Sequence, residues 1–128
     1  WRIFARWWRL RSMWLLDDSP EMVKIYGELY RIGIFANYKG FFYTARAVEL
    51  CAQQPERLQL ITKWLYPEVA AYYHTTWQSV ERSIRTVVAV AWERNPDLVS
   101  QMSLSSSLTR KPTPKQFLAA LVQNISSH

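Results

Sequence analysis

Glycine occurs three times in 128 residues, at positions 27, 33 and 40, and this scarcity limits the possible folds more than any other feature. A β-sandwich or barrel needs a turn about every 8 to 12 residues, and many such turns need glycine's positive φ. Here the turn-forming residues gather at a few junctions, and Pro20, Pro55, Pro67 and Pro114 each stand where a helix can begin. With 49% of residues hydrophobic and 20% charged, the chain has enough apolar surface to offset the entropy of ordering. These features predict a single all-α domain.

The junctions predict where the helices run. Ser19 caps a helix that opens at Pro20, with Glu21 near its positive end and Met22, Ile25, Tyr26, Leu29 and Ile32 along its buried side. Gly33 is the predicted terminator. After the loop 34–39, Gly40 introduces a second run to Gln54, marked by Phe42, Ala45, Val48, Glu49 and Ala52. Pro55 starts a third helical run reaching Tyr66 through Leu58, Ile61 and Leu65, and Pro67 is expected to divide it from a short helix ending near Tyr73. His74, Thr75 and Thr76 then form a tight connection to a longer helix, capped by Thr76 or, with Gln78 as capping-box partner, by Thr75. Val80, Ile84, Val87, Val88 and Ala91 make its buried stripe. Asn95-Pro96-Asp97 breaks it, a short run Leu98 to Met102 follows, and the serine-rich stretch 103–109 reads as a mobile loop. Thr113-Pro114-Lys115-Gln116 opens the last helix as a capping box.

The formal charge of +6 is unevenly spread. Residues 1–16 carry Arg2, Arg6, Arg9 and Arg11 and no acid, which leaves twelve bases against ten acids, or +2, for residues 17–128. Net charge alone therefore does not make the main domain a nucleic-acid binder. The chain divides into an amphipathic Trp/Arg-rich segment over 1–18 and a helical domain over 19–128. In the first segment Ile3, Phe4, Trp7, Trp8, Leu10, Trp14 and Leu15 share one side of a helix. Two readings of that side stay open: contact with an anionic membrane surface by residues 1–16, or packing on the domain or a partner. Opening on Trp1, the chain reads as a fragment or processed form of a longer one. The acids Asp17 and Asp18 suit helix-start electrostatics better than metal binding. The lone Cys51, set among Ala47, Val48, Leu50 and Ala52, reads as a buried thiol in a reducing, cytoplasmic setting.

Catalysis finds little support. One cysteine, His74 in a turn and His128 at the end supply neither a metal set nor an activated nucleophile, and no glycine-rich phosphate loop is present. The chain is expected to be neither an enzyme nor a carrier of a metal or cofactor. A helix-turn-helix fits better. It requires a second helix that buries one stripe and offers polar side chains from its N-terminal half to a major groove. The helix after Thr76 buries its stripe and turns Gln78, Ser79, Glu81, Arg82, Arg85 and Thr86 outward. Arginine can contact guanine with two hydrogen bonds, glutamate can accept from the cytosine amino group, and threonine hydroxyls and backbone amides can grip phosphate. A solvated charged face is the alternative on pattern alone.

From about Tyr30 onward the chain resembles the C-terminal effector domain of the stage-zero sporulation response regulators. The resemblance rests on Lys39-Gly40 followed by Phe41 and Tyr43, on Ile61-Thr62-Lys63 with Leu65-Tyr66-Pro67, and on Thr75-Thr76. It continues through Val80-Glu81-Arg82, Ile84-Arg85, Val90-Ala91-Trp92 and Lys111-Pro112-Thr113 with Phe117. It implies an all-helical domain of about six helices with a helix-turn-helix. The implied partner is double-stranded DNA, read at a short promoter box by a homodimer on tandem sites, with the sigma subunit of RNA polymerase as a further expected partner. Activation or repression of transcription would follow.

In that family the recognition helix typically reads Thr-Thr-x-x-Arg-Val-Glu-Arg-Ala-Ile-Arg. Carried onto this chain, Glu81 and Arg82 read bases, Arg85 and Gln78 contact backbone or bases, and Thr75, Thr76, Lys39 and Lys111 hold phosphates. Ser79 stands where the family has its first arginine, and Trp77 where it usually has a helix-opening proline. Losing a guanine-reading arginine removes about 1–3 kcal/mol of discrimination, which implies a different box or a weaker hold. Family members usually carry an N-terminal receiver domain, and nothing in residues 1–29 resembles one. The chain is thus either an excised effector domain or a stand-alone relative. The competing reading is a degenerate helical interaction or membrane-surface module acting through residues 1–16.

Overall fold

Ser19 is the first residue that the computed structural model describes; residues 19–102 and 110–126 are covered. The expectations for the Trp/Arg-rich segment, for Asp17 and Asp18, and for the loop 103–109 lie outside the described residues. The serine hydroxyl oxygen accepts from the Met22 amide at 3.3 Å, as an N-cap should, and α1 (Pro20–Arg31) follows. It ends in a Schellman motif: the Ile34 amide donates to the Leu29 carbonyl at 2.9 Å and the Gly33 amide to Tyr30 at 3.0 Å, with Gly33 at φ +92°. Both Leu29 and Ile34 are fully buried, which supplies the hydrophobic contact of that motif.

The second helix, α2 (Lys39–Gln53), is central to the described domain and packs against the helices at 20–31, 66–72, 77–94 and 114–126. Its Phe41, Phe42, Ala45, Ala47, Val48 and Cys51 are buried. Phe41 lies between α1's Tyr26 and Tyr30, with ring centroids 5.3 and 5.2 Å away. Glu49, counted at sequence level only as a helical marker, is 8% exposed. A buried carboxylate needs partners, and it has the Arg46 guanidinium and the Ser19 hydroxyl, the latter at 3.3 Å.

The third predicted helix needs correction. Residues Pro55–Leu60 form a tight 3-10 helix, and Ile61–Leu65 a wide π turn that runs without a break into α3 (Tyr66–Tyr72). Pro67 therefore does not divide two helices. A proline inside an α-helix lacks the amide for the i−4 carbonyl and drives its ring into it. Here the Tyr66 amide reaches back to the Ile61 carbonyl, and this wider spacing admits the ring without ending the helix.

The longest helix among the described residues, α4 (Trp77–Arg94), buries Val80, Ile84, Val87, Val88 and Ala91 as the spacing predicts. Pro96 proves to open a helix as well as end one, because α5 (Pro96–Met102) begins on it, preceded by Asn95. α6 (Pro114–Ser126) starts with the predicted capping box: the Thr113 amide donates to Gln116 Oε1 at 2.9 Å, and the Gln116 amide to Thr113 Oγ1 at 3.2 Å. Among the described residues no strand occurs and six α-helices surround one core, an all-α fold. Among the described residues no helix is long and apolar enough to cross a membrane.

Candidate nucleic-acid interface

Helices α3 and α4, joined by the turn at 73–76, make the predicted helix-turn-helix. The turn repeats the device that ends α1. The Thr75 amide donates to the Ala70 carbonyl at 2.9 Å and the His74 amide to Ala71 at 3.4 Å, while His74 takes the left-handed conformation at φ 55°. Thr76, not Thr75, caps α4, since its hydroxyl oxygen accepts from the Ser79 amide at 3.2 Å. The backbone amide of Thr75 is consumed by the turn, so what it can offer a phosphate is its hydroxyl. Thr76 accepts through oxygen and retains a hydroxyl proton to donate.

On α4 the outward residues form two rows. Gln78 and Arg82 lie four apart on the outermost line and are exposed. Trp77, Glu81 and Arg85 lie four apart on the next line. Within that second row Arg85 Nη2 donates to Glu81 Oε1 at 2.9 Å, so two of the predicted base-facing residues are bound to each other. The pair fixes the carboxylate and offsets its charge. Arg82 has no ion-pair partner among the described residues and is the uncompensated cation of this face. Thr86 donates to the Arg82 carbonyl at 3.1 Å, which turns its hydroxyl back onto the helix. Ser79 is half-buried, toward the side that meets α2.

Beneath the second row lies Tyr66 of α3, 2% exposed. Burial pushes its hydroxyl up to about 12, with the Glu81 carboxylate adding to the rise and Arg85 opposing it. Spacing along the chain gave no sign of this relation between residues fifteen apart, because it depends on how α3 crosses α4.

The two lysines fare differently. Lys39 is the exposed first residue of α2. Its neighbour Gly40 is pressed against the Ser83 carbonyl, which brings the start of α2 to the middle of α4, beside Arg82. Lys111 is exposed just ahead of the buried Pro112, in the segment leading to α6, and no hydrogen bond or ion pair joins it to α4 among the described residues. Sequence reasoning also passed over the clamp at the far end of α4. There Arg94 Nη1 donates to the Gly33 carbonyl at 2.8 Å, and Asn95 Nδ2 to Ile32 at 3.0 Å. Arg94 Nη2 also donates to the Tyr38 hydroxyl at 3.1 Å.

No cluster of metal-ligating side chains occurs among the described residues. Cys51 is buried, as predicted, and burial pushes its thiol up to about 12, far from the reactive thiolate range. The arrangement is one of shape and hydrogen-bonding groups. A helix held at its C-terminal end and in its middle presents donors and acceptors from its first three turns. A family model described as "Sporulation initiation factor Spo0A C terminal" matches residues 25–125.

Proposed function

Since the chain belongs to the Spo0A C-terminal family of sporulation initiation factors, we propose that it is a sequence-specific DNA-binding transcription regulator that reads a short promoter box with the N-terminal half of α4. The observation that carries this reading is the outer face of α4. Gln78 and Arg82 are exposed on its outermost line, and the Glu81–Arg85 pair lies beside them. The buried stripe behind them fixes the helix on the domain.

Arg82, lacking an acidic partner among the described residues, is free to make two hydrogen bonds to guanine O6 and N7. Glu81 accepts from a cytosine amino group with one oxygen while Arg85 holds the other side of the carboxylate. Gln78 and Arg85 reach the backbone or neighbouring bases. Thr75 and Thr76 hold phosphate at the turn, Lys39 does so beside the middle of α4, and Lys111 does so from the segment before α6. Ser79, half-buried and short, leaves unread the base pair that an arginine there would contact, so the preferred box is degenerate or altered at that position.

The test is a salt series of binding to a duplex carrying the family's box against a scrambled duplex. Phosphate contacts give the slope and base contacts the ratio. A ratio of about a thousand or more is expected. A steep slope with no ratio would mean non-specific attraction and would overturn the reading. An Arg82→Ala protein that keeps both its fold and its preference for the box would remove Arg82 from the base-reading role.

A further inference from the structure

Trp77 is the first residue of α4 and, at 36% exposed, stands outside the helix's buried stripe of Val80, Ile84, Val87, Val88 and Ala91. Its indole N–H has no partner among the described residues. Helix side chains lean toward the N-terminus, so from the first position the indole projects past the helix end, over the turn at Thr75 and Thr76. It heads the row that continues through Glu81 and Arg85, one row aside from Gln78 and Arg82. Tyr72, the other exposed aromatic at this turn, is already engaged, since its hydroxyl accepts from Arg46 Nη2 at 3.0 Å and the guanidinium carbon stands 4.2 Å above its ring.

When the N-terminal end of a helix enters a major groove, the middle of its outer face meets base edges. The flanks of its first turn meet the sugar-phosphate strand that forms the groove wall. We infer that Trp77 is a backbone-contacting residue, donating its indole N–H to a phosphate of that wall and laying its ring on the adjoining deoxyribose. The inference rests on the DNA-binding reading given above. The chemistry suits the place. Indole is donor-only and rigid, and it carries no charge. The one acid in its row, Glu81, is neutralised by Arg85 at 2.9 Å and does not repel an approaching phosphate. A neutral donor adds affinity without releasing counterions, so its contribution does not depend on salt and carries no sequence information.

The experiment begins with duplexes that the wild-type chain enriches from a random pool, and compares wild type with Trp77→Phe and Trp77→Ala on an enriched duplex and on single-mismatch versions of it. Trp77→Phe keeps the ring and removes the donor. It is expected to weaken binding about tenfold on every duplex alike, with the same salt slope and an unchanged thermal midpoint. A scan with single methylphosphonate linkages, each uncharged, should reveal one position that weakens wild type and leaves Trp77→Phe unaffected. A purely structural role would shift the midpoint and give no such position. Equal binding by wild type and Trp77→Phe, or a scan with no such position, overturns the contact while the DNA-binding reading stands. A wild-type chain that enriches no duplex overturns both.

Discussion

Gly40, the second residue of α2, faces the carbonyl oxygen of Ser83 on α4 so closely that a Cβ built on it would stand 2.5 Å away. The same Cβ would meet Val87 Cγ2 at 2.5 Å. The first of these atoms is backbone in the middle of a packed helix and cannot step aside. The close approach leaves no room for a side chain between α2 and α4. In an open helix alanine would be favoured over glycine by about 1 kcal/mol. Here Gly40→Ala is expected to destabilise the domain by about 1–3 kcal/mol, read from urea unfolding midpoints. A neutral or stabilising result would mean that α2 and α4 are farther apart than described.

The two Schellman turns make a matched pair with opposite expectations. Gly33, at φ +92°, and His74, at φ 55°, occupy the same C′ position after α1 and α3. A side chain in the left-handed region costs about 1–2 kcal/mol. Gly33→Ala should therefore destabilise, the more so because its Cβ would stand 3.2 Å from Asn95 Nδ2. His74→Gly should stabilise by about 0.5–1 kcal/mol. Thermal midpoints of the two variants should move in opposite directions.

Asn95 ties the end of α4 to the end of α1 through its bond to the Ile32 carbonyl. Asn95→Ala leaves that carbonyl without this donor and is expected to cost about 1–2 kcal/mol in chemical denaturation. An unchanged midpoint would show that water replaces the amide without loss.

Alkaline stability follows from two buried groups. Burial pushes Cys51 from 9.0 up to about 12, and Tyr66 from 10.0 up to about 12. The native chain keeps both protons where the unfolded chain releases them, so stability falls as pH rises through this window. Below about pH 8 neither group contributes appreciable slope. Cys51→Ala should remove the earlier part of the decline and leave the later part, which Tyr66→Phe should reduce. Urea midpoints at about pH 7, 9 and 10.5 in constant ionic strength would show it. Identical slopes in all three proteins would contradict the assignment.

The Glu81–Arg85 bridge is exposed at Arg85 and lies on one helix face. A double-mutant cycle with Glu81→Gln and Arg85→Gln should give a coupling of only about 0.3–0.5 kcal/mol to stability. Loss of DNA binding in either variant would then report on recognition, not unfolding. A coupling several times larger would assign the pair to the fold.

Local signals made much of this protein legible. Ser19 and Pro20, Gly33, Thr76, and the Thr113–Gln116 box each act on backbone groups within a few residues, so their effect does not depend on the rest of the chain. The buried stripes of α1 and α4 follow for a similar reason, since one face of a helix must be covered whatever covers it. The family resemblance could be placed on residues for the same cause: its motifs are short and contiguous. The stretch 55–72 is not legible in this way, because proline's usual effect on a helix does not hold for Pro67 among its neighbours. A π turn, which has no simple sequence signature, absorbed the ring.

By itself, then, the sequence determined that the chain is helical, where α1, α4 and α6 begin, and which side of α4 faces outward. Only the tertiary structure decided that Gly40 must be glycine and that Glu49 is buried with Arg46 and Ser19. It also decided that Tyr66 lies under Glu81, and that Arg94 and Asn95 close α4 onto α1. Each of these joins residues far apart in the chain. Their distances are set by how helices cross, and a crossing is chosen by the packing of all the side chains at once.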